Sequence, residues 1–270
     1  MLMNSKVLPF WKFHGTGNDF VVLDNRMSNI DLSNAQIEEL CRFHTGIGAD
    51  GCIVLEDDGG IYRMRYHNSD GKVSSFCGNG SRCFLAFTRL LGLVGVGEDL
   101  MYMASDGIHT SRLVHEEENR WLVETRMQTI GKAQLLSEGI LIQTGSPHVL
   151  IEVGELDFAS SDFERQAAQL RYSAEFRAQG VNVNWVLNAG EEIRLRTYER
   201  GVERETLSCG TAAVAAAVWW KEHKSGSVGN RVSIQTRGGT LTVFWDKENQ
   251  VWLRGTVHFT FQGVWQGFGM

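Results

Sequence analysis

The chain has 270 residues, 43% of them hydrophobic, enough for one large core or two modest ones. Lys and Arg number 26 against 32 Asp and Glu, and the formal charge of −6 argues against a nucleic-acid partner, which would want a basic face. No stretch approaches the ~20 apolar residues of a membrane span, and Met1 to Phe10 carries neither the apolar run nor the small-residue cleavage site of a signal peptide, so a soluble cytoplasmic protein with no membrane partner is expected.

The first periodic segment, Ala35 to Phe43, reads as an amphipathic helix. It leads into Gly46-Ile-Gly-Ala-Asp-Gly51, which spells GxGxxG. A dinucleotide fingerprint needs a strand before it and a helix after it. Here the order is reversed, so neither NAD nor FAD is expected. A β-rich run, Cys52-Ile-Val-Leu-Glu56, follows. Next comes the alternating strand Ile61-Tyr-Arg-Met-Arg-Tyr66, whose pattern buries one face. A polar turn, Asn68-Ser-Asp-Gly71, then precedes Cys77-Gly78 and a helix from about Asn79, with Cys83, Phe84, Phe87, Leu90 and Leu91 at helical spacing.

The same succession returns at an offset of 132 residues. Gly48 falls on Gly180, Val54-Leu55 on Val186-Leu187, Ile61 on Ile193, Tyr66 on Tyr198, and Cys77-Gly78 on Cys209-Gly210. The second copy runs through Asn184-Trp-Val-Leu187, Ile193-Arg-Leu-Arg-Thr-Tyr198 and Glu199-Arg-Gly201 to a helix that is apolar nearly all round, Thr211 to Trp220. Such a helix must be enclosed on most sides. Two strand-rich halves, each wrapped around a central helix, are the simplest architecture.

Five cysteines (Cys41, Cys52, Cys77, Cys83, Cys209) form an odd set with no CxxC pair, so free thiols are expected rather than a disulfide framework. No Cys/His spacing suits a metal. Cys41, Cys52 and Cys83 read as packing residues, the ordinary role of a buried thiol. Cys77 and Cys209 differ because each stands just before a helix in matched context. The unpaired N–H groups and partial positive charge of a helix start lower a thiol's pKa from ~8.5 into the range of about 3.5–7.5. The same N–H groups cradle an anion such as a carboxylate. Two such cradles facing one another suit inversion of an α-carbon, with one thiolate removing a proton and one thiol returning it.

In this order, the motifs resemble those of the diaminopimelate epimerase family along nearly the whole chain. They are His14-Gly-Thr-Gly-Asn-Asp-Phe20, Gly46-Ile-Gly-Ala-Asp50, Asn68-Ser-Asp-Gly71, Cys77-Gly-Asn-Gly80, Gly145-Ser-Pro-His148, Asn182-Val-Asn184, Tyr198-Glu-Arg-Gly201 and Cys209-Gly-Thr211. The resemblance implies an α/β (α+β) fold of two pseudo-symmetric β-roll or barrel halves, each around a central helix, with the active site in the cleft between them. The halves are expected at 1–126 with the tail 260–270, and at 127–259. It further implies interconversion of LL- and meso-diaminopimelate, a step toward lysine and peptidoglycan, with no metal or cofactor, and a homodimer.

By the same resemblance Cys77 and Cys209 are the catalytic pair. The reacting carboxylate rests on the N–H groups of Gly78, Asn79, Gly210 and Thr211, and Asn18 orients that head. Asn68, Asn182, Glu199 and Arg200 hold the far amino-acid head, which agrees with the ability of Arg to fork a carboxylate and of Glu to pair an ammonium. Glu199 and His148 are also expected to support catalysis, though for His148 two roles stay open: polarising a thiol or capping a turn. Tyr66 and Tyr198 read as core residues. Three positions depart from the family pattern: Ser146 where many members have Asn, Gly51 where many have Gln, and Ala212 where the second helix start has Gly. The competing readings are a two-thiol racemase for histidine or proline, a non-catalytic amino-acid-binding relative, and a thiol-redox enzyme, which would need its sulfurs within disulfide reach.

Overall fold

The computed structural model describes residues 7–28, 30–74, 76–128, 130–190, 192–223 and 229–266. It divides into two units: Met1–Thr125 with Thr256–Met270, and Arg126–Gly255. Among the described residues five helices accompany sixteen strands, and no helix is long and apolar enough to cross a membrane.

Unit 1 is built from β1 (Leu8–Gly15), β2 (Asn18–Asp24), β3 (Gly51–Asp58), β4 (Ile61–Asn68), β5 (Asp99–Ala104), β6 (Gly107–Glu117) and β7 (Arg120–Met127), neighbours in that order. β2–β3 and β4–β5 are parallel pairs, and the other pairs are antiparallel. The long last strand β16 (Val251–Trp265) pairs with β1 and also neighbours β7, so the sheet rolls closed. Helix α2 (Gly78–Leu90) fills the roll and is buried from Gly78 to Thr88. Phe84 and Phe87 pack with Phe13, Phe20, Ile53 and Trp121. One polar side chain of the helix, Ser81, meets the hydroxyls of Tyr102, Ser111 (3.2 Å) and Thr125 (3.0 Å), so these buried groups satisfy one another.

Helix α1 (Asn34–Cys41) covers the opposite face of the sheet. Ser33 and Gln36 form its capping box, and Ile37, Leu40 and Cys41 pack on Val21, Leu23, Cys52 and Val54. β2 and β3 are therefore buried on both faces, which is why Cys52 to Leu55 is a continuous apolar run rather than an alternating one. The GxGxxG stretch ends α1. Ile47 and Gly48 N–H donate to the Leu40 carbonyl (2.9 and 3.2 Å), and a Cβ at Gly46 would fall 2.1 Å from the Glu39 carbonyl oxygen. The glycines serve a helix C-terminus and a strand start, not a phosphate cradle.

Unit 2 repeats the plan with β8 (Gln134–Leu135), β9 (Ile140–Gln143), β10 (Pro147–Glu152), β11 (Asn182–Asn188), β12 (Glu192–Glu199), β13 (Arg204–Thr206), β14 (Arg231–Thr236) and β15 (Gly239–Trp245). The neighbour order is β8-β9-β10-β11-β12-β14-β15-β16, with β13 on β12. β10–β11 and β12–β14 are parallel, matching the parallel pairs of unit 1. Helices α3 (Glu155–Phe158) and α4 (Phe163–Arg171) stand where unit 1 has α1, and α5 (Gly210–His223) is the counterpart of α2, buried from Gly210 to Trp220. Its alanines let strands approach on every side. The hairpin registers nonetheless differ. Unit 1 turns through Gly59-Gly60, both at positive φ, and pairs Ile53 with Tyr66; unit 2 sets Asn188 opposite Ile193 and pairs Val183 with Tyr198.

Candidate active site

In unit 1 the chain enters α2 at Cys77, the N-cap, with φ −118° and ψ 114°. Its sulfur accepts from the Gly80 N–H at 3.4 Å and its carbonyl from the Ser81 N–H at 2.8 Å, so sulfur takes the place a serine oxygen usually fills. The β1–β2 turn presses onto this helix start. A Cβ at Gly15 would lie 3.3 Å from the Asn79 carbonyl oxygen, and only a glycine makes that approach easily. The turn delivers Asn18, whose Nδ2 donates to Asp50 Oδ2 (2.8 Å). Asn18 Oδ1 accepts from Asn79 Nδ2 (3.3 Å) and lies 3.9 Å from Cys77 Sγ. Asn79 Oδ1 in turn accepts from Arg82 Nη2 at 2.6 Å. Asn68 ends β4 opposite Gly51, and its backbone accepts from Gly71 and donates to Lys72, closing the polar turn. A Cβ at Gly51 would sit 2.6 Å from the His67 carbonyl and 2.7 Å from the Tyr66 ring, so Tyr66 occupies the space that a longer residue at 51 would need.

In unit 2 Cys209 precedes α5 and is buried, with its carbonyl accepting from the Ala213 N–H. Its sulfur is 3.3 Å from Thr211 Oγ1. That hydroxyl also meets His148 Nε2 (2.9 Å) and Ser146 Oγ (3.1 Å), while Ser146 Oγ lies 2.9 Å from the same Nε2. Asn184 orients the imidazole. Its Oδ1 accepts from Thr197 and its Nδ2 donates to the Val149 carbonyl, so the amide faces His148 Nδ1 (3.3 Å) with hydrogens. This assigns the ring proton to Nε2. Burial pushes the His148 pKa down to about 3, so the ring is neutral and Nε2–H donates. The Thr211 hydroxyl is then free to donate to sulfur.

Asn182 stands two residues away at the start of β11. Its Nδ2 donates to Ser146 Oγ (3.1 Å) and the Pro147 carbonyl (3.0 Å), and its Oδ1 accepts from the Arg200 backbone N–H (2.8 Å). Glu199 Oε2 accepts from Thr206, and Arg200 Nη1 donates to the Gln179 carbonyl; both residues are half-buried at the end of β12. Gly180, at φ +74°, leaves the room that the Arg200 side chain occupies.

Unit 1 thus gathers Cys77, Gly78, Asn79 and Asn18 at one helix start, with Asn68 at a strand end. Unit 2 gathers Cys209, Gly210, Thr211, His148 and Asn182, with Glu199 and Arg200 following β12. Sequence reasoning missed Asn184, Asp50 and Arg82. Asn184 and Asp50 end the motifs Asn182-Val-Asn184 and Gly46-Ile-Gly-Ala-Asp50, and Arg82 is a charged residue five positions into a segment that is otherwise interior. The other three cysteines are buried, and burial raises all their pKa values, that of Cys41 to about 12. Among the described residues no group of three His, Cys, Asp or Glu is arranged to hold a metal ion. 

The sequence model of the family described as diaminopimelate epimerase matches residues 10–134 and 140–260. The diaminopimelate epimerase of Flavobacterium psychrophilum is 36% identical over 263 residues, covering 94% of this chain and 99% of that protein. That of Aquifex aeolicus is 33% identical over 279 residues, covering 95% and 97%. Among solved structures, a phenazine biosynthesis protein of the PhzF family from Bacillus anthracis superposes with a TM-score of 0.74 at 14% identity, covering 96% of this chain and 99% of its own. A hydroxyproline epimerase from Agrobacterium vitis gives 0.67 at 14%, covering 100% and 97%. These two likenesses are of fold.

Proposed function

The chain belongs to the diaminopimelate epimerase family, and from that membership we propose that it interconverts LL- and meso-diaminopimelate without metal or cofactor, with Cys77 and Cys209 as the proton-transfer pair. The observation that carries the reading is a repeated one. Each unit sets a thiol at the start of its own buried helix in a Cys-Gly context, with the Asn18 amide beside one sulfur and the Thr211 hydroxyl beside the other. One thiolate removes the α-proton and becomes a thiol. The electron pair moves onto the substrate carboxylate as an enolate. The other thiol then gives its proton to the opposite face of the carbon and is left as a thiolate. No atom is gained or lost, and the reverse reaction exchanges the roles.

Helix-start N–H groups of Gly78, Asn79, Gly210 and Thr211 hold the reacting carboxylate, where they are worth most as charge builds on it. Asn18 orients this head, and Asn68, Asn182, Glu199 and Arg200 take the far one. His148 supports the chemistry from unit 2 as a neutral donor to Thr211, and Glu199 supports it from the end of β12. The cytoplasm as site of action and assembly as a homodimer belong to the same proposal, as do the division of the chain near residues 126 and 260 and the absence of nucleic-acid or membrane partners. The test is proton NMR of the reduced protein with LL-diaminopimelate in heavy water, beside Cys77→Ala and Cys209→Ala. Meso product deuterated at the inverted carbon, lost in both variants, is expected. A wild type that exchanges nothing would overturn the substrate assignment.

A further inference from the structure

Arg200 follows the last residue of β12, and a turn at once folds the chain back beside it. Gly201 stands at φ +87° and Glu203 at φ +58°, and the Val202 and Glu203 N–H groups donate to the Glu199 carbonyl (3.3 and 2.8 Å). The turn returns the Glu203 carboxylate to the Gly201 N–H, which donates to Oε1 at 3.0 Å, so an anion sits one peptide away from Arg200. An arginine beside a carboxylate ordinarily forks it. Among the described residues Arg200 makes no ion pair: its Nη1 donates to the Gln179 carbonyl (3.1 Å) and its backbone N–H to Asn182. Glu203 is already taken. Arg171, the last residue of α4, places Nη2 3.0 Å from the same Oε1.

The Arg171 side chain is only 12% exposed, with its guanidinium 4.9 Å from the centre of the Tyr172 ring. Its Nε and Nη1 are buried with no hydrogen-bond partner. One of three nitrogens is bonded, so hydrogen bonding does not explain why an arginine is buried here. Its position does. Both arginines lie against Gly180, where a Cβ would fall 2.6 Å from Arg200 Cδ, 2.9 Å from Arg171 Cζ and 3.0 Å from Arg171 Nη2. Two like charges are thus packed over one glycine, with Glu203 in reach of both. Like charges repel, so Arg171 acts twice, occupying Glu203 and turning the Arg200 guanidinium away. That guanidinium is felt at the site. The His148 pKa is lowered by burial, raised by the Asn184 hydrogen bond, and lowered again by the charge of Arg200.

We propose that Arg171 is a positioning residue: it pairs with Glu203 and so keeps that carboxylate from capturing Arg200, whose guanidinium stays open to a carboxylate of the substrate. This rests on the far-head role proposed above for Arg200, and the two are tested apart. Arg171→Met, Arg171→Lys, Glu203→Gln, the double variant Arg171→Met with Glu203→Gln, and Arg200→Met are compared with wild type in two assays. One is steady-state epimerisation of diaminopimelate. The other is phenylglyoxal modification of Arg200 in the substrate-free protein, followed by peptide mass spectrometry. Arg171→Met should raise KM about tenfold with kcat changed less, as loss of one charge-assisted fork requires. It should also slow modification of Arg200, now ion-paired to Glu203. Arg171→Lys keeps a cation on Glu203 and should restore both readouts. The double variant should restore them too, because the competing carboxylate is gone, whereas a packing role alone predicts no rescue. Glu203→Gln by itself should stay near wild type. Equal modification of Arg200 in wild type and Arg171→Met, or a double variant no better than Arg171→Met, would overturn the proposal. If Arg171→Met does not fold, wild-type Arg200 reacting no faster than the ion-paired Arg171 would do so. An Arg200→Met variant with wild-type KM would sink the far-head role, while the modification rates would still decide whether Arg171 keeps Glu203 from Arg200.

Discussion

Replacing Thr211 with Val isolates one hydroxyl, because the two side chains have nearly the same shape and no cavity opens. Thr211 Oγ1 meets His148 Nε2 at 2.9 Å, Ser146 Oγ at 3.1 Å and Cys209 Sγ at 3.3 Å. The Ser146 hydroxyl, 2.9 Å from the same Nε2, keeps the imidazole N–H satisfied after the change. No buried donor is orphaned, so the loss of stability should stay near the ordinary net value, about 1 kcal/mol. The larger effect falls on the thiolate. A hydrogen bond to a charged group is worth about 2 kcal/mol, which corresponds to a kcat ~30-fold lower in the direction that uses Cys209 as base. The opposite direction, in which Cys209 is the acid, should suffer less in kcat, while kcat/KM falls by one factor both ways because the equilibrium constant is fixed. The assay is steady-state epimerisation started from each isomer, with α-proton exchange in heavy water as a second readout. Thr211→Ser, which keeps the hydroxyl, is the control and should stay within about threefold of wild type. Equal rates for Thr211→Val and wild type in both directions would refute the idea that this hydroxyl serves the sulfur.

Other outcomes follow from the same contacts. The unfolded chain takes up a proton on His148 near 6.5, whereas the folded ring stays neutral down to about 3, so the stability it contributes is full above 6.5 and drains away as pH falls toward 3. Within that window urea titrations should show stability falling by up to about 1.4 kcal/mol per pH unit from this ring, and His148→Gln should flatten the slope; an unaltered slope counts against it. In the native protein Cys41, Cys52 and Cys83 should resist iodoacetamide while Cys77 reacts, because burial raises the first three. Labelling of any of them at the rate of Cys77 would contradict that. Gly51→Ala places a methyl 2.6 Å from a backbone carbonyl and 2.7 Å from Tyr66, and should destabilise by about 1–3 kcal/mol in denaturant titrations. A variant as stable as wild type would mean that β3 and β4 can spread apart.

The repeated succession of strand, turn, Cys-Gly and helix was readable because it rests on local signals: alternation in Ile61 to Tyr66, glycines at fixed offsets, and an alanine-rich run that must be enclosed. Pairing was not readable. Periodicity says that β3 and β11 are buried but not which strand lies beside them, so the parallel partners β2 and β10 emerged only from the structure. The 132-residue offset aligns Tyr66 with Tyr198 yet says nothing of their cross-strand partners, which the differing turns shift by two residues. Asn18, Asn68, Asn79 and Asn182 were legible from their short motifs, whereas Asn184 was not, because its role depends on facing His148 from the neighbouring strand. Arg82 escaped because a lone arginine in a helix is ordinarily solvated, and only its acceptors on Gly78, Asn79 and Thr16 reveal that this one is interior.

The course of β16 has a bearing on how the chain is made. Its first residues belong to unit 2, and from Thr256 onward it enters unit 1 and pairs with β1, with Val257 opposite Gly15 and Trp265 opposite Leu8. The roll begun by β1 and β2 therefore lacks a stave until β16 has been synthesised. During translation β1 waits as an open sheet edge, the kind of surface that invites pairing with another chain. Unit 2 comes from one unbroken stretch of sequence, so it is the half able to mature first, although the ribosome produces it second. A stop codon at Phe259 would damage unit 1 rather than unit 2.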